Sequence, residues 1–423
     1  MLRVHPPNWR RVLNQNNSKR FGYYAERLFS RGRHPGFLRR AGRAMFRWVA
    51  PRQGTGPHVL LAPPGGGNIG DQAMINAYLE NVAGPVVMVV RRGDAAVQQP
   101  IAGERVDCIE LEHLVYGGGL MHLRDVVRFA QVLRGARSLS IIGADIMDGA
   151  YNAMASVHRA NLASWSAAAG IDTRVLGFSW NGAPHPLASV ALREASRNGV
   201  RLFLRDPISA SRAREAGLEN VQDVMDTVFA ASRQEEGKTL RRIQAFAQGG
   251  AYALVNASAL VAAGVDQCDE YEAVVRTLLD RGLRVVLLPH VSRPSGDDKR
   301  ELEALHARVT DPGVMRVNEL LTPEQVRCIA QHARLVITGR MHLAILSLSG
   351  GTPAITLATQ GKVEGLMQMF GTEELCIAPK AGFGARVVSL VRKLLDDQGR
   401  TEQQIVSRLP HVSLLSRRNY VGL

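Results

Sequence analysis

Short apolar runs alternate with longer stretches of helical period along most of the chain. Apolar runs of four to seven residues that alternate with helices are typical of strands buried in parallel sheets. The first series of predicted strands is His58–Ala62, Pro85–Val90, Cys108–Leu111, Ser138–Ile142, Thr173–Phe178, Arg201–Arg205 and Asn220–Met225. The second series is Tyr252–Ala257, Arg284–Pro289, Val314–Val317, Leu335–Thr338, Ala354–Leu357 and Glu374–Ile377.

A polar, charged stretch at 232–238 separates the two series. We therefore predict two α/β domains, at 58–235 and 240–400, with an N-terminal arm at 1–57 and a C-terminal tail at 401–423. A cleft between two such domains is the usual place for a ligand.

The positive charge of the chain is concentrated in the arm. Of the formal net charge of +14, residues 1–52 carry +12, from thirteen Lys and Arg against the single acid Glu26. The other 371 residues carry only +2. A basic, nucleic-acid-binding body is therefore not indicated, and we expect no nucleic-acid partner.

Within the arm, residues 37–50 have helical period. Phe37, Ala41, Met45 and Trp48 share one predicted face, and arginines follow one another at four-residue steps beside it. Such a helix can lie on an anionic membrane surface. It can equally pack on the body with solvated arginines, or contact a nucleic acid or a protein partner.

The four cysteines lie far apart, with no C-x-x-C pair, so neither a zinc site nor a disulfide framework is predicted. No uninterrupted apolar run approaches the ~18 residues of a membrane-spanning helix. We expect a cytoplasmic protein, and the arm adds the alternative of a peripheral position at the inner face of the membrane.

Candidate chemistry in the second domain follows the ends of predicted strands. Arg340 and His342 stand where a buried strand gives way to a small-residue helix, and Lys362 follows the next strand. An arginine can bind a phosphate or carboxylate through two N–H groups, and a histidine can move a proton near neutral pH. His290 also ends a strand, where a structural role is the alternative.

Candidate residues in the first domain also follow strands. A glycine-rich turn at 65–70 precedes a helix and carries Asn68 and Asp71. Its free N–H groups suit an anion, although Asp71 can also be a helix N-cap and the glycines can serve a tight turn. The spacing is that of neither a Walker A loop nor a dinucleotide-binding loop.

Two further strand ends carry charge. Asp145 and Asp148 suit sugar-hydroxyl binding or capping better than a metal, because no histidine or further acid completes a ligand set nearby. Arg205 is a candidate for function or for a structural ion pair, and Asp206 before Pro207 is predicted to be a helix N-cap.

The ordered set of these residues resembles the polysaccharide pyruvyl transferase family. The resemblance covers roughly residues 58–390 and rests on an N-x-G-D element, an R-D-x-x-S element with a later Asp226, and an R-x-H, G-x-P and K-x-x-G series. These are Asn68–Asp71, Arg205–Ser209, Arg340–His342, Gly351–Pro353 and Lys362–Gly365. The flanking Gly339, Leu343 and Thr359 depart from the family pattern.

The resemblance implies two Rossmann-like domains in a GT-B-like arrangement. It implies transfer of the enolpyruvyl unit of phosphoenolpyruvate to a sugar of a surface polysaccharide or its lipid-linked precursor, forming a pyruvate ketal. By position, Arg340 and Arg205 would hold the donor, Lys362 would add to the anion site, and His342 would be the acid. Asn68 and Asp71 would face the cleft, and neither a metal nor an organic cofactor is implied.

Two other classes of function remain open from sequence. A nucleotide-sugar glycosyltransferase of similar fold would bind a nucleoside diphosphate sugar, such as a uridine or guanosine diphosphate sugar, instead of phosphoenolpyruvate. A non-catalytic subunit of a polysaccharide-assembly complex would bind a ligand or partner without releasing phosphate.

Overall fold

A computed structural model describes residues 35–92, 105–294, 296–358 and 362–423. Residues 1–34 of the predicted arm, and Thr359 among the departures from the family pattern, lie outside the described residues. Within these ranges, no helix combines the length and apolar character that crossing a membrane requires.

Two parallel sheets form the body. The first has the strand order β3-β2-β1-β4-β5-β6-β7 and the second β10-β9-β8-β11-β12-β13. The strands of the first sheet are β1 His58–Leu61, β2 Val86–Val90, β3 Val106–Glu110, β4 Ser138–Ile142, β5 Asp172–Phe178, β6 Arg201–Leu204 and β7 Val221–Asp223. Those of the second are β8 Tyr252–Asn256, β9 Arg284–Leu287, β10 Val314–Arg316, β11 Leu335–Thr338, β12 Ala354–Leu357 and β13 Cys376–Ile377.

Helices connect the strands and cover the sheets. In the first half they are α1 Pro35–Val49, α2 Ile69–Asn81, α3 His113–Tyr116, α4 Gly119–Val132, α5 Ala153–Ala168, α6 Pro186–Arg197 and α7 Pro207–Glu215. In the second half they are α8 Lys238–Ala247, α9 Ala259–Ala262, α10 Cys268–Asp280, α11 Asp298–Arg308, α12 Pro323–Gln331, α13 Met341–Leu348, α14 Val363–Phe370, α15 Phe383–Asp396 and α16 Arg400–Arg417. The predicted fold class, two α/β domains with parallel sheets, is confirmed.

The strand signal was strong because the central strands are buried on both faces. All residues of β1, β2, β4, β8, β11 and β12 are buried, so these strands are mostly apolar rather than alternating apolar and polar. The predicted strand at 374–377 is shorter than expected, since a 3₁₀ turn occupies Glu373–Leu375 before β13.

Helix α1 packs on the first domain mainly through Phe46 and Val49. Phe46 is 1% exposed, and its ring centroid lies 6.0 Å from that of Trp165 on α5. A Cβ at Gly42 would lie 2.9 Å from the Trp165 ring, so the glycine lets the two helices approach. Of the apolar face that the sequence groups together, Met45 packs against this core and Trp48 is 67% exposed.

The last helix returns to the first domain. The Asn419 side chain accepts from the Gly177 N–H at 3.0 Å and donates to the Met225 carbonyl at 2.9 Å. Ser416 donates to the carbonyl of Asp226 at 2.6 Å. The segment predicted as a tail therefore connects the second domain to β5 and the end of β7, beside the cleft.

Candidate active site

The cleft lies where the carboxyl ends of the strands of both sheets face each other. It has a volume of about 430 Å³. All eight residues predicted as candidate site residues line it: Asn68, Asp71, Asp145, Arg205, His290, Arg340, His342 and Lys362. Pro64, Tyr116, Tyr151, Val291 and Arg293 also line it.

Arg340 is held by a buried carboxylate. It directly precedes α13, and its own N–H donates to Thr338 Oγ1 at 2.9 Å. Its Nε and Nη2 donate to Asp298 Oδ1 at 3.2 and 2.6 Å. One edge of the guanidinium is thereby fixed, and Nη1 makes no hydrogen bond to any described residue. That nitrogen can meet an anion in the cleft.

Asp298 is the residue that fixes this arginine, and it was not singled out from sequence. It is 0% exposed and starts α11. Its carboxylate also accepts from the backbone N–H groups of Ala259, His290 and Val291, at 3.0, 3.2 and 3.0 Å. A carboxylate held by this many donors is fixed in position, so it presents Arg340 in one orientation.

His342 meets an acid from the other domain. Its Nε2 lies 3.5 Å from Asp226 Oδ2, and Arg205 Nη1 donates to the same oxygen at 2.8 Å. Arg205 Nε donates in turn to Ser179 Oγ at 2.8 Å. Burial alone would raise the pKa of Asp226, but the neighbouring His342, the charge of Arg205 and the Val228 N–H lower it to about 2. The carboxylate therefore stays ionised.

The glycine-rich turn lies against the Nδ1 side of His342, whereas Asp226 lies near Nε2. A Cβ at Gly70, in the first turn of α2, would lie 2.4 Å from His342 Nδ1. The N-cap of this helix is Asn68, whose Oδ1 accepts from the Gly70 N–H at 3.0 Å. Asp71 is thus not the N-cap that the sequence left open.

Lys362 reaches across the cleft to Asp145, and the two side chains form an ion pair. Tyr151 donates its hydroxyl to the same Asp145 oxygen at 3.1 Å. Burial would raise the pKa of Asp145, but the charges of Lys362, Arg205 and His342 together hold it well below its usual range. Asp148 lies outside this cluster and accepts from the Ala150 N–H at 2.9 Å, as a turn-capping residue does.

Arg293 is a second residue that sequence reasoning missed. Its Nη2 donates to Asp71 Oδ2 at 2.9 Å and to the Pro64 carbonyl, and its Nε donates to the Gly66 carbonyl at 2.5 Å. Burial raises the pKa of Asp71, although Arg293 opposes that shift. An arginine three residues after the strand-ending His290 was the available signal, but its partners are more than 200 residues away in sequence.

His290 is buried at the cleft wall with both ring nitrogens unpaired among the described residues. Burial, followed by the charges of His342 and Arg340, lowers its pKa well below the usual value. The two histidines of the cleft therefore differ in environment: His342 lies beside a carboxylate, and His290 is neutral.

Asp206 has the capping role predicted for it. Its Oδ1 accepts from the Ser209 N–H at 2.7 Å, with Pro207 at the first position of α7. The roles of the eight cleft residues in binding and catalysis stay predictions.

Solved structures with this arrangement of domains define the class of fold. The structure of MnaA from S. aureus with UDP matches with a TM-score of 0.58 at 13% identity, covering 86% of this chain and 94% of that chain. A UDP-glucosyltransferase from Polygonum tinctorium matches with a TM-score of 0.54 at 13% identity, covering 87% and 98%. The protein therefore has the GT-B-type two-domain fold.

The family follows from sequence. The model of the polysaccharide pyruvyl transferase family matches residues 68–361, and the chain belongs to this family, as its ordered residues predicted. It is a transferase. The chain is also 26% identical over 167 residues to the amylovoran biosynthesis protein AmsJ of Erwinia amylovora, covering 37% of this chain and 39% of AmsJ. Both similarities support a role in polysaccharide modification.

Proposed function

We propose that the protein transfers the enolpyruvyl unit of phosphoenolpyruvate to a saccharide and forms a cyclic pyruvate ketal. One observation carries the proposal: His342 and Arg340 of one domain share a cleft with Arg205 and Asp226 of the other. Phosphoenolpyruvate carries a phosphate and a carboxylate. Both suit guanidinium groups that a carboxylate fixes in place, as Asp298 fixes Arg340 and Asp226 fixes Arg205.

The donor is placed between the domains. Arg340 takes one anionic group through the N–H groups that Asp298 leaves unused, and Arg205 takes another through its Nη2. Lys362 adds a third positive charge when the donor displaces Asp145 from it. We propose that these side chains supply the charge neutralisation without a metal or organic cofactor.

His342 supplies the proton. It protonates the methylene carbon of the donor while the first sugar hydroxyl adds to the neighbouring carbon, and the hydroxyl proton returns to the imidazole. The C–O bond to phosphate then breaks with its electron pair on phosphate. The second hydroxyl closes the ketal, and its proton leaves with phosphate. A positioned acid contributes roughly 100- to 10,000-fold to such a step.

The neighbours of His342 suit this role. The Asp226 carboxylate lies 3.5 Å from Nε2, and Gly70 closes the space beside Nδ1, so the ring is held in one position. The neutral, unpaired His290 offers a hydrogen bond to an acceptor hydroxyl. A cleft that excludes water protects the cationic intermediate from hydrolysis.

We further propose that the acceptor is a surface polysaccharide or its lipid-linked precursor, met at the inner face of an anionic membrane. The outer side of α1 supports this: Arg40, Arg47 and Trp48 are exposed, and the helix contains no acid. Arginine and an exposed indole suit a phospholipid headgroup region.

The test is phosphate release from phosphoenolpyruvate with a panel of free and lipid-linked saccharides, with and without a chelator. His342→Ala should abolish turnover while donor binding stays measurable, and Arg340→Ala should lose donor binding. Near-normal turnover in His342→Ala would contradict the acid role. Thermal stabilisation by a uridine or guanosine diphosphate sugar but not by phosphoenolpyruvate would favour a glycosyltransferase. Binding without phosphate release across the panel would favour a non-catalytic subunit.

A further inference from the structure

A buried arginine on the first-domain side of the cleft forms no ion pair with any acid in the described part of the chain. Arg159 lies in the middle of α5 and is 2% exposed. Its one hydrogen bond within the described part of the chain runs from Nη2 to the hydroxyl oxygen of Tyr116, at 2.8 Å. A buried charge without a counter-charge is strongly unfavourable, so such a group indicates a missing anionic partner.

A second arginine flanks the same tyrosine. Arg91 follows β2, and its guanidinium carbon lies 5.3 Å from the centroid of the Tyr116 ring, while that of Arg159 lies 5.2 Å away. Arg91 also forms no ion pair with a described carboxylate. Glu112 lies on the wall of the same recess but pairs with neither arginine. The π-electrons of the ring attract both cations without neutralising them.

Tyr116 links these arginines to the cleft. It lines both the cleft and the small recess that holds Arg91 and Arg159. Because its oxygen accepts from Arg159, its hydrogen is free to be donated, and the neighbouring charge strengthens that donation. Pro64, which follows β1, and Tyr116, at the end of α3, line both spaces, so the recess adjoins the cleft.

We propose that Tyr116, Arg91 and Arg159 form a second anion subsite, which binds a phosphate group of the acceptor. The tyrosine donates its hydroxyl hydrogen to a phosphate oxygen, Arg91 supplies the exposed charge and Arg159 the buried charge behind the ring. The proposal rests on the proposed function, since it leaves Arg340, Arg205 and Lys362 to the donor. The acceptor is then a sugar phosphate ester, from either a nucleotide or a lipid diphosphate.

The experiment measures binding to the full chain by calorimetry, with and without phosphoenolpyruvate. The probes are N-acetylglucosamine as the neutral reference, N-acetylglucosamine 1-phosphate, UDP-N-acetylglucosamine and farnesyl-diphospho-N-acetylglucosamine. We expect the phosphorylated sugars to bind at least tenfold more tightly than the neutral sugar. The last two probes separate a nucleotide source of the phosphate from a lipid source.

Variants locate the site. Tyr116→Phe keeps the ring and removes the donor, and Arg91→Ala removes the exposed charge; each should weaken the phosphorylated probes about tenfold. Arg92→Ala, a neighbouring exposed arginine outside the recess, is the matched control and should change affinity less than twofold. Arg159→Met should weaken binding by as much as Tyr116→Phe, and the double variant should be no weaker than either, because one acts through the other.

Several outcomes overturn the subsite. One is equal affinity for neutral and phosphorylated sugars, and another is an equal loss of affinity in Arg91→Ala and Arg92→Ala. An unchanged affinity of Tyr116→Phe for the phosphorylated probes, or competition between the sugar phosphate and phosphoenolpyruvate, would also overturn it. Failure of the proposed function would look different: phosphoenolpyruvate would not bind or react, while sugar phosphates would still depend on Tyr116. The affinity measured for Tyr116→Phe decides the proposal even if Arg159→Met does not fold.

Discussion

Nε2 of His342 lies 3.5 Å from Oδ2 of Asp226, and the two residues belong to different domains. The same carboxylate oxygen accepts a hydrogen bond from Arg205 at 2.8 Å. The proposed acid therefore has its counter-charge only when the two domains face each other as they do here. Asp226 is thus a positioning residue for both His342 and Arg205.

Asp226→Asn should lower turnover about 100-fold with a smaller change in donor affinity. The amide keeps the shape of the side chain but removes the negative charge that lies between His342 and Arg205 and orients both. Steady-state kinetics with phosphoenolpyruvate would show the loss in kcat. Asp223→Asn, an exposed carboxylate at the end of the same strand, is the control and should stay near wild type. An unchanged kcat in Asp226→Asn would contradict the positioning role.

The same carboxylate predicts a pH dependence of stability. The pKa of Asp226 falls from a model-peptide value of 3.8 to about 2 in the folded protein. A depressed folded-state pKa stabilises the fold above the unfolded value, and this contribution is lost as pH falls through the folded value. We expect the free energy of unfolding to decrease by about 2 kcal/mol from this group between pH 4 and pH 2.

Denaturant unfolding at several pH values would measure that loss. The curve for Asp226→Asn should be shallower than that of the wild type over this interval, whatever its absolute stability. Parallel curves for the two proteins would show that Asp226 does not titrate as proposed.

Asp145→Asn and Lys362→Met should have opposite effects on donor binding. Lys362 is paired with Asp145, so a donor anion must compete with that carboxylate. Removing the acid charge should tighten phosphoenolpyruvate binding several-fold, and removing the lysine charge should weaken it at least tenfold. Calorimetric titration would measure both. Weaker binding in Asp145→Asn would show that Asp145 contributes to the site rather than competing for Lys362.

Asp298→Ala should destabilise the protein by roughly 3–5 kcal/mol, because it leaves Arg340 and three backbone N–H groups without their buried acceptor. The midpoint of denaturant unfolding would report the loss. Arg340→Ala should cost less, since the carboxylate keeps its other donors. In the double variant the two losses should not add, and additive losses would contradict the coupling between these residues.

Gly70→Ala should reduce turnover more than it reduces stability. Alanine favours a helix over glycine by about 1 kcal/mol, but its Cβ would lie 2.4 Å from His342 Nδ1 and displace the ring. Gly118→Ala is the matched control, because no atom lies within 4 Å of its new Cβ. Phosphate release and thermal unfolding on both variants would separate the two effects. Normal turnover in Gly70→Ala would mean that the ring position is not critical.

Arg40→Ala/Arg47→Ala should weaken sedimentation with phosphatidylserine-containing vesicles about 10- to 30-fold, since each arginine near an anionic surface contributes about 1 kcal/mol. The exposed pair Arg386→Ala/Arg392→Ala on α15 is the control. Equal losses for both pairs would indicate general attraction by net charge. Undiminished binding in Arg40→Ala/Arg47→Ala would contradict a membrane role for α1.

The sequence by itself determined the two series of buried strands and the positions where chemistry follows them. Short, mostly apolar runs that alternate with helices are typical of parallel strands covered on both faces, and the carboxyl ends of such strands share one edge. Arg340, His342, Arg205 and Lys362 could therefore be found without a structure, as could the capping role of Asp206.

Tertiary structure alone decided how these residues are paired. Asp226 meets His342, Arg293 meets Asp71 and Lys362 meets Asp145 across more than 100 residues of sequence, because the two domains face each other. Tertiary structure also decided which face of α1 packs on the first domain. The helical period of its apolar residues allows more than one packed face, and the contact of Phe46 with Trp165 selects one of them. Local pattern fixes which side chains stand at a sheet edge, and long-range packing fixes what charge lies opposite them.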